Sequence, residues 1–119
     1  MPGMQWARLL ADLNLRLRRG AWYRIVRVEP LQAVLEVSGR SIQVPAAFLQ
    51  IVKQPPRRWT VVSRPSDAVR LPHDWGDRYA VCPSCRARQA LAGRAARMQC
   101  ARCKGSFEVA WNESYDPAL

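Results

Sequence analysis

The chain has 119 residues, a length that suits one domain or two small ones. Apolar residues make up 49% of it, which argues against long-range disorder, and no run of 18 apolar residues offers a transmembrane helix. Nineteen basic residues against nine acidic ones give a net charge of +10. Such an excess fits contact with a polyanion. Only Lys53 and Lys104 are lysines, and an arginine bias of this kind equally fits the codon usage of a GC-rich genome.

The first twenty residues have no continuous apolar core and carry Asp12 and Asn14 midway, so they do not read as a signal peptide. The expectation is a cytoplasmic protein, where thiols stay reduced and metal sites are favoured over disulfides. Within residues 4–19, Trp6, Leu9, Leu10, Leu13 and Leu17 recur at intervals of three and four, which predicts an amphipathic α-helix. Arg16, Arg18 and Arg19 would complement the dipole of its last turn, and Gly20 would fit the left-handed position just beyond. Such a helix can bind a partner, but its short stripe is better suited to packing on the β-structure that follows.

From Ala21 to Pro65 the period changes to two. Trp22, Tyr23, Ile25, Val26 and Val28 form one strand-like run, ended by Pro30. Alternation continues through Ala33, Leu35 and Val37, turns at Ser38-Gly39 and resumes with Ile42 and Val44. Pro45 to Leu49 reads as a short helical turn, followed by a strand near Gln50–Lys53. Pro55-Pro56 breaks the chain before a last strand, Trp59–Ser63. Five short strands at this spacing predict a small closed barrel. The segment Val44-Pro45-Ala46-Ala47-Phe48-Leu49-Gln50-Ile51-Val52 is similar to the stretch before the last strand of SH3-like barrels, a fold that implies no single function. Eleven basic residues and three acidic ones fall in the first 64 positions. Arg24, Arg27, Arg57 and Arg58 stand beside Trp22, Tyr23 and Trp59, a combination suited to phosphate contact and base stacking, although burial is the commoner fate of any one tryptophan.

Pro65, Pro72, Gly76 and three Asp between Arg64 and Arg78 argue against regular structure, and residues 66–78 read as a linker. They hold His73, the only histidine, which the four cysteines leave without a ligand role, and Trp75, expected to pack at the junction. Cys82-Pro83-Ser84-Cys85 and Cys100-Ala101-Arg102-Cys103 are two CxxC pairs separated by 14 residues, and they use every cysteine in the chain. A two-residue gap lets one tight turn aim both sulfurs at a point, and two such turns face to face make a closed tetrahedral S₄ site. One structural Zn²⁺ held by Cys82, Cys85, Cys100 and Cys103 is expected. An iron site, a redox CxxC and a pair of disulfides are the alternatives. Thiolate ligation of one divalent ion would lower the net charge to about +8. Tyr79-Ala80-Val81, the arms Arg88–Leu91 and Arg97–Gln99, and Ser106–Trp111 supply strands around the two turns. Residues 79–111 therefore resemble the zinc-ribbon family, whose members often follow a CxxC with Gly; here Arg86 follows the first pair and Lys104-Gly105 the second. The resemblance implies a basic hairpin presented to nucleic acid or to a transcription or translation complex. Arg88, Arg94 and Arg97 would make that contact, in DNA or RNA, while Arg86, Arg102 and Lys104 offset the charge of the metal centre.

The expected fold is thus mainly β with one N-terminal α-helix (1–20), an SH3-like barrel (21–65), a linker (66–78), a C-terminal zinc ribbon (79–111) and a frayed tail (112–119). The expected function is a non-catalytic zinc-binding module associated with nucleic acid. A protein–protein adaptor that uses the barrel or the helix is the alternative. A closed S₄ site leaves no position for a reactive water, there is no phosphate-binding glycine loop, and the acids are scattered, so no enzyme is expected.

Overall fold

The structure, a computed structural model, describes residues 4–10, 17–64 and 71–111. It is built from two five-stranded sheets. The first contains β1 (Trp6–Leu9), β2 (Tyr23–Val28), β3 (Gln32–Val37), β4 (Arg40–Pro45) and β5 (Leu49–Val52), in the order β4-β3-β2-β1-β5. The second contains β6 (Arg58–Ser63), β7 (Arg78–Val81), β8 (Arg88–Ala90), β9 (Arg97–Gln99) and β10 (Ser106–Val109), in the order β8-β7-β6-β10-β9.

Two expectations are corrected here. Among the described residues there is no α-helix, only the 3₁₀ turns Ala46–Phe48 and His73–Trp75. Trp6–Leu9, expected in an N-terminal helix, is a strand whose backbone pairs antiparallel with β2 on one side and β5 on the other. The helical spacing of its apolar residues is real, but two sheet edges offer its amides and carbonyls partners, and tertiary pairing overrides the local period. Residues 11–16, the middle of the expected helix, lie outside the described residues. The second correction concerns Trp59–Ser63, expected to close a barrel over residues 21–65. This strand is β6, at the centre of the other sheet, antiparallel to β7 and parallel to β10. The place beside β5 is filled by β1 instead.

The turns obey their sequences. β3 and β4 pair from Gln32↔Pro45 to Val37↔Arg40, across the two-residue loop Ser38-Gly39. Both loop residues have positive φ, 51° and 80°, as a hairpin turn matched to strand twist requires. An irregularity in the β2–β3 register between Ile25 and Arg27 puts Val26 and Arg27 both in solvent. Gly20 (φ 77°) is demanded by packing. A side-chain Cβ there would lie 2.4 Å from Cγ2 of Val62, so only glycine lets the turn before β2 rest on β6.

The hairpin β6–β7 is the wall between two cores. Val62, Tyr79 and Val81 face the first sheet, where they join Ala7, Leu9, Tyr23, Ile25, Leu35, Val44 and Leu49. Trp59 and Ala80 face the other way and join Cys82, Met98, Cys100 and Val109. The strand period of two thus assigns neighbouring side chains to different cores. The segment Pro72–Gly76 before β7 is held by Arg64, whose Nε–H and Nη2–H donate to the carbonyls of Gly76 and Pro72 at 2.7 and 2.6 Å. Trp75 packs there against the first core, 6.4 Å from the Tyr79 ring.

Candidate metal centre

Each CxxC pair occupies the turn of a hairpin: β7–Cys82-Pro83-Ser84-Cys85–β8 and β9–Cys100-Ala101-Arg102-Cys103–β10. The two turns are built alike. Cys82 N–H donates to Ala87 O at 2.8 Å, and Cys100 N–H to Gly105 O at 2.8 Å. Arg86 N–H donates to Cys82 O at 3.2 Å, and Lys104 N–H to Cys100 O at 2.9 Å. In each, two amides point at the first sulfur: Ser84 and Cys85 at Cys82 Sγ (3.4 and 3.5 Å), Arg102 and Cys103 at Cys100 Sγ (3.4 and 3.5 Å). The residue after each pair takes the left-handed conformation, Arg86 at φ 65° and Lys104 at φ 68°. The absence of glycine there therefore leaves the turn geometry intact, at a cost of about 1 kcal/mol per site.

The two turns converge. The four Sγ atoms all lie within 4.8 Å of one another. Across the turns, Cys82 Sγ is 3.7 Å from Cys103 Sγ, and Cys85 Sγ is 3.6 Å from Cys100 Sγ. Four sulfurs at ~2.3 Å from one ion would be separated by about 3.8 Å, so these spacings match the edges of a tetrahedral ZnS₄ centre. No disulfide joins any two of the four cysteines, and His73 stands outside the cluster in its 3₁₀ turn. The donor set, the geometry and the N–H groups aimed at sulfur all fit one metal ion, an arrangement compatible with a zinc ribbon.

The electrostatics of the thiols differ with depth. Burial pushes the Cys82 thiol up to about 12, against the pull of the Cys85 and Ser84 amides. Burial also raises Cys85. For Cys100 burial acts in the same sense, but the amides of Cys103 and Arg102 and the neighbouring Cys85 and Cys103 thiols prevail and bring it down to about 7. Cys82 and Cys100 are fully buried, and Cys103 is exposed.

Supports around the centre come from residues to which the sequence pattern assigns no such role. Trp59, fully buried, donates its Nε1–H to Met98 O at 3.0 Å, tying β6 to β9. Gln89 bridges the sheet's two edges: its Nε2–H donates to Gln99 O at 3.1 Å and its Oε1 accepts from Ala101 N–H at 3.0 Å. Arg86 lies over the Tyr23 ring, 5.0 Å from its centroid, and its carbonyl accepts from Arg18 Nη1 at 2.5 Å. The first metal turn is thereby joined to the first sheet. The sequence points to Arg86 only as charge compensation, since a contact with Arg18, 68 positions away, leaves no trace in spacing.

The arginines expected to meet nucleic acid are dispersed. Arg24 and Arg27 are exposed on β2, with Arg27 paired to Glu29 at 2.9 Å. Arg88 is half-buried on the edge strand β8. Arg94, at the hairpin tip, lies 5.1 Å from the centroid of the Trp111 ring, which is itself anchored by its Nε1–H to Ala95 O at 2.8 Å. Arg97, on the opposite edge strand β9, reaches Glu108 at 3.8 Å and Ser106 O at 3.2 Å. Only Arg57, Arg58 and Arg97 come together, around a hollow of about 570 Å³ that also contains Ser106, Phe107 and Glu108. No described helix is long and apolar enough to cross a membrane. No protein-family model, curated protein or solved structure matches the chain.

Proposed function

We propose that this protein is a non-catalytic zinc-binding module, with one structural Zn²⁺ on Cys82, Cys85, Cys100 and Cys103, whose basic surface associates with nucleic acid or a nucleic-acid-bound complex. The observation that carries the metal is the convergence of four sulfurs within 4.8 Å from two matched turns. Tetrahedral thiolate sites suit zinc or iron, and zinc needs no redox partner. With four protein ligands the ion keeps no open position, so it supplies folding free energy and not a reactive water. Elemental analysis of freshly purified protein should return one zinc per chain. A preparation without transition metal, or with iron and its visible absorption, would refute this assignment.

The nucleic-acid reading rests on the net charge of +10 and on Arg57, Arg58 and Arg97 meeting at one hollow. It predicts binding to DNA or RNA that weakens steeply with salt. Absence of binding at low salt would remove it. The adaptor reading is favoured by a separate observation. Val26, Val28 and Leu31 are 58%, 50% and 84% exposed on and beside β2. An adaptor would retain a co-purifying protein through nuclease treatment and high salt.

A further inference from the structure

The loop from β5 into β6 crosses between the two sheets, and the surface is concave on both sides of it. On the side of the first sheet is a hollow of about 730 Å³, walled by Val52, Pro55, Pro56 and Trp22 and rimmed by Lys53, Arg57 and Arg58. On the side of the second is the smaller hollow with Phe107 and Arg97. Arg57 and Arg58 border both, as a basic ridge between two cups. Among the described residues that line this surface, Lys53, Arg57, Arg58 and Arg97 are the cations and Glu108, 3.8 Å from Arg97, is the carboxylate. Among the described residues neither Lys53 nor Arg57 is paired with a carboxylate.

The walls are prepared before any ligand arrives. Trp22, only 8% exposed, is held by the buried Arg8, 4.5 Å from its ring centroid, and Arg8 is fixed by hydrogen bonds to Gln50 Oε1 (2.8 Å) and Thr60 Oγ1 (3.2 Å). Pro55 and Pro56 have fixed φ and no N–H to satisfy. On the other side Phe107 sits against Gly105, so close that a Cβ there would fall 2.6 Å from the ring. Flat, rigid, apolar walls on either side of a guanidinium ridge lose little entropy when a planar ring enters.

We propose that these two cups and the Arg57–Arg58 ridge form a track for a single strand of nucleic acid, with an unpaired base in each cup and the phosphate between them on the ridge. This rests on the nucleic-acid reading above and narrows it to one strand and one place. A duplex keeps its bases stacked inside and offers a convex wall of phosphates, so it cannot fill the cups. An acidic peptide would satisfy the ridge but has no flat ring for the apolar walls. Base stacking and backbone contact of this kind do not depend on sequence or on the sugar, so RNA and DNA strands should both bind.

The test is fluorescence anisotropy of the zinc-loaded full chain with six-nucleotide oligouridylate, six-nucleotide oligothymidylate and a duplex of the same length, across a salt series. The single strands should bind more tightly than the duplex. Arg57→Ala/Arg58→Ala should weaken them roughly tenfold or more and reduce the salt slope by about 0.7, the effect of one single-strand phosphate no longer neutralised. Arg24→Ala/Arg27→Ala, which removes the same charge from β2, should change affinity less than threefold, the scale expected of long-range attraction alone. Near-ultraviolet circular dichroism and zinc content would verify that both variants remain folded. The track is overturned if the two double variants weaken binding equally, if the duplex binds as well as the single strands, or if a hexaglutamate peptide competes as well as oligouridylate. If the wild-type protein binds neither strand nor duplex at low salt, the nucleic-acid reading falls with it. If binding persists undiminished in Arg57→Ala/Arg58→Ala, only the track is lost.

Discussion

The two sheets share a wall yet solve the problem of cohesion by different means. The first closes on aliphatic and aromatic side chains, among them Leu9, Tyr23, Ile25, Leu35, Val44 and Leu49, drawn from all five of its strands and from the turn at Leu17. The second has strands of only three or four residues outside β6, and its fully buried set is Trp59, Ala80 and two of the four cysteines, with Met98 and Val109 nearly so. A core that small does not repay the entropy of ordering its chain. The proposed ion, bound by four thiolates, would make up the deficit. The lesson is that burial can be read as a measure of how much each region depends on a ligand.

Removal of the metal should break the comparison most visibly. Metal binding is worth about 10 kcal/mol or more in small sites of this type, so a strong chelator or Cys82→Ser should unfold the second sheet. The damage should extend past residue 78, because β6 and β7 also line the first core and Arg86 is seated on Tyr23. Hydrogen exchange would register loss of protection in Thr60–Val62 and Tyr79–Val81, with a smaller acceleration in the β3–β4 hairpin. Unaltered protection at Tyr79–Val81 after metal removal would mean that the hairpin belongs to the first sheet alone.

Substitutions inside the two cores come next. Trp59→Ala should cost about 3–5 kcal/mol, through the cavity and the orphaned Met98 carbonyl, and should weaken zinc retention. Leu35→Ala should cost about 2–5 kcal/mol and leave zinc affinity near wild type. Denaturant melts with zinc titration separate the two. Equal loss of zinc in both variants would show one cooperative unit in place of two.

Gly20→Ala probes the seam. It combines a left-handed backbone with a Cβ driven into Val62, and about 2–3 kcal/mol of destabilisation is expected in thermal unfolding. A neutral effect would show that the turn can lift from β6.

The matched metal turns give a finer contrast. Lys104 is exposed and makes no ring contact, so Lys104→Gly relieves its positive φ and should stabilise by about 0.5 kcal/mol. Arg86→Gly relieves the same strain but loses the stack on Tyr23, and should be neutral or destabilising by up to about 1 kcal/mol.

Much of this was legible in the amino-acid order, unevenly. The β3–β4 hairpin with its Ser38-Gly39 turn, the 3₁₀ turn at Ala46–Phe48 and β5 follow from alternation and turn chemistry that act within ten residues. The strands flanking each CxxC were placed for the same reason. The helix expected over residues 4–19 was not found at Trp6–Leu9, because a spacing of three and four is silent about whether two sheet edges stand ready to pair with the segment. Trp59–Ser63 is a strand, as its alternation predicts, but it belongs to the second sheet. Its alternation says that it has two faces, and nothing in it says which core each face meets.

The sequence by itself determined the chemistry. Two CxxC pairs at a hairpin's separation specify four sulfurs around a point, since the ligand turns are local and their amides come from the same few residues. Tertiary structure alone decided that β6 and β7 serve two cores at once, that Arg86 of the first metal turn lies on Tyr23 of the other sheet, and that Arg57, Arg58 and Arg97 meet beside Phe107. Those facts join residues tens of positions apart. Their physical cause is the packing of sheet on sheet, which period, propensity and spacing do not encode.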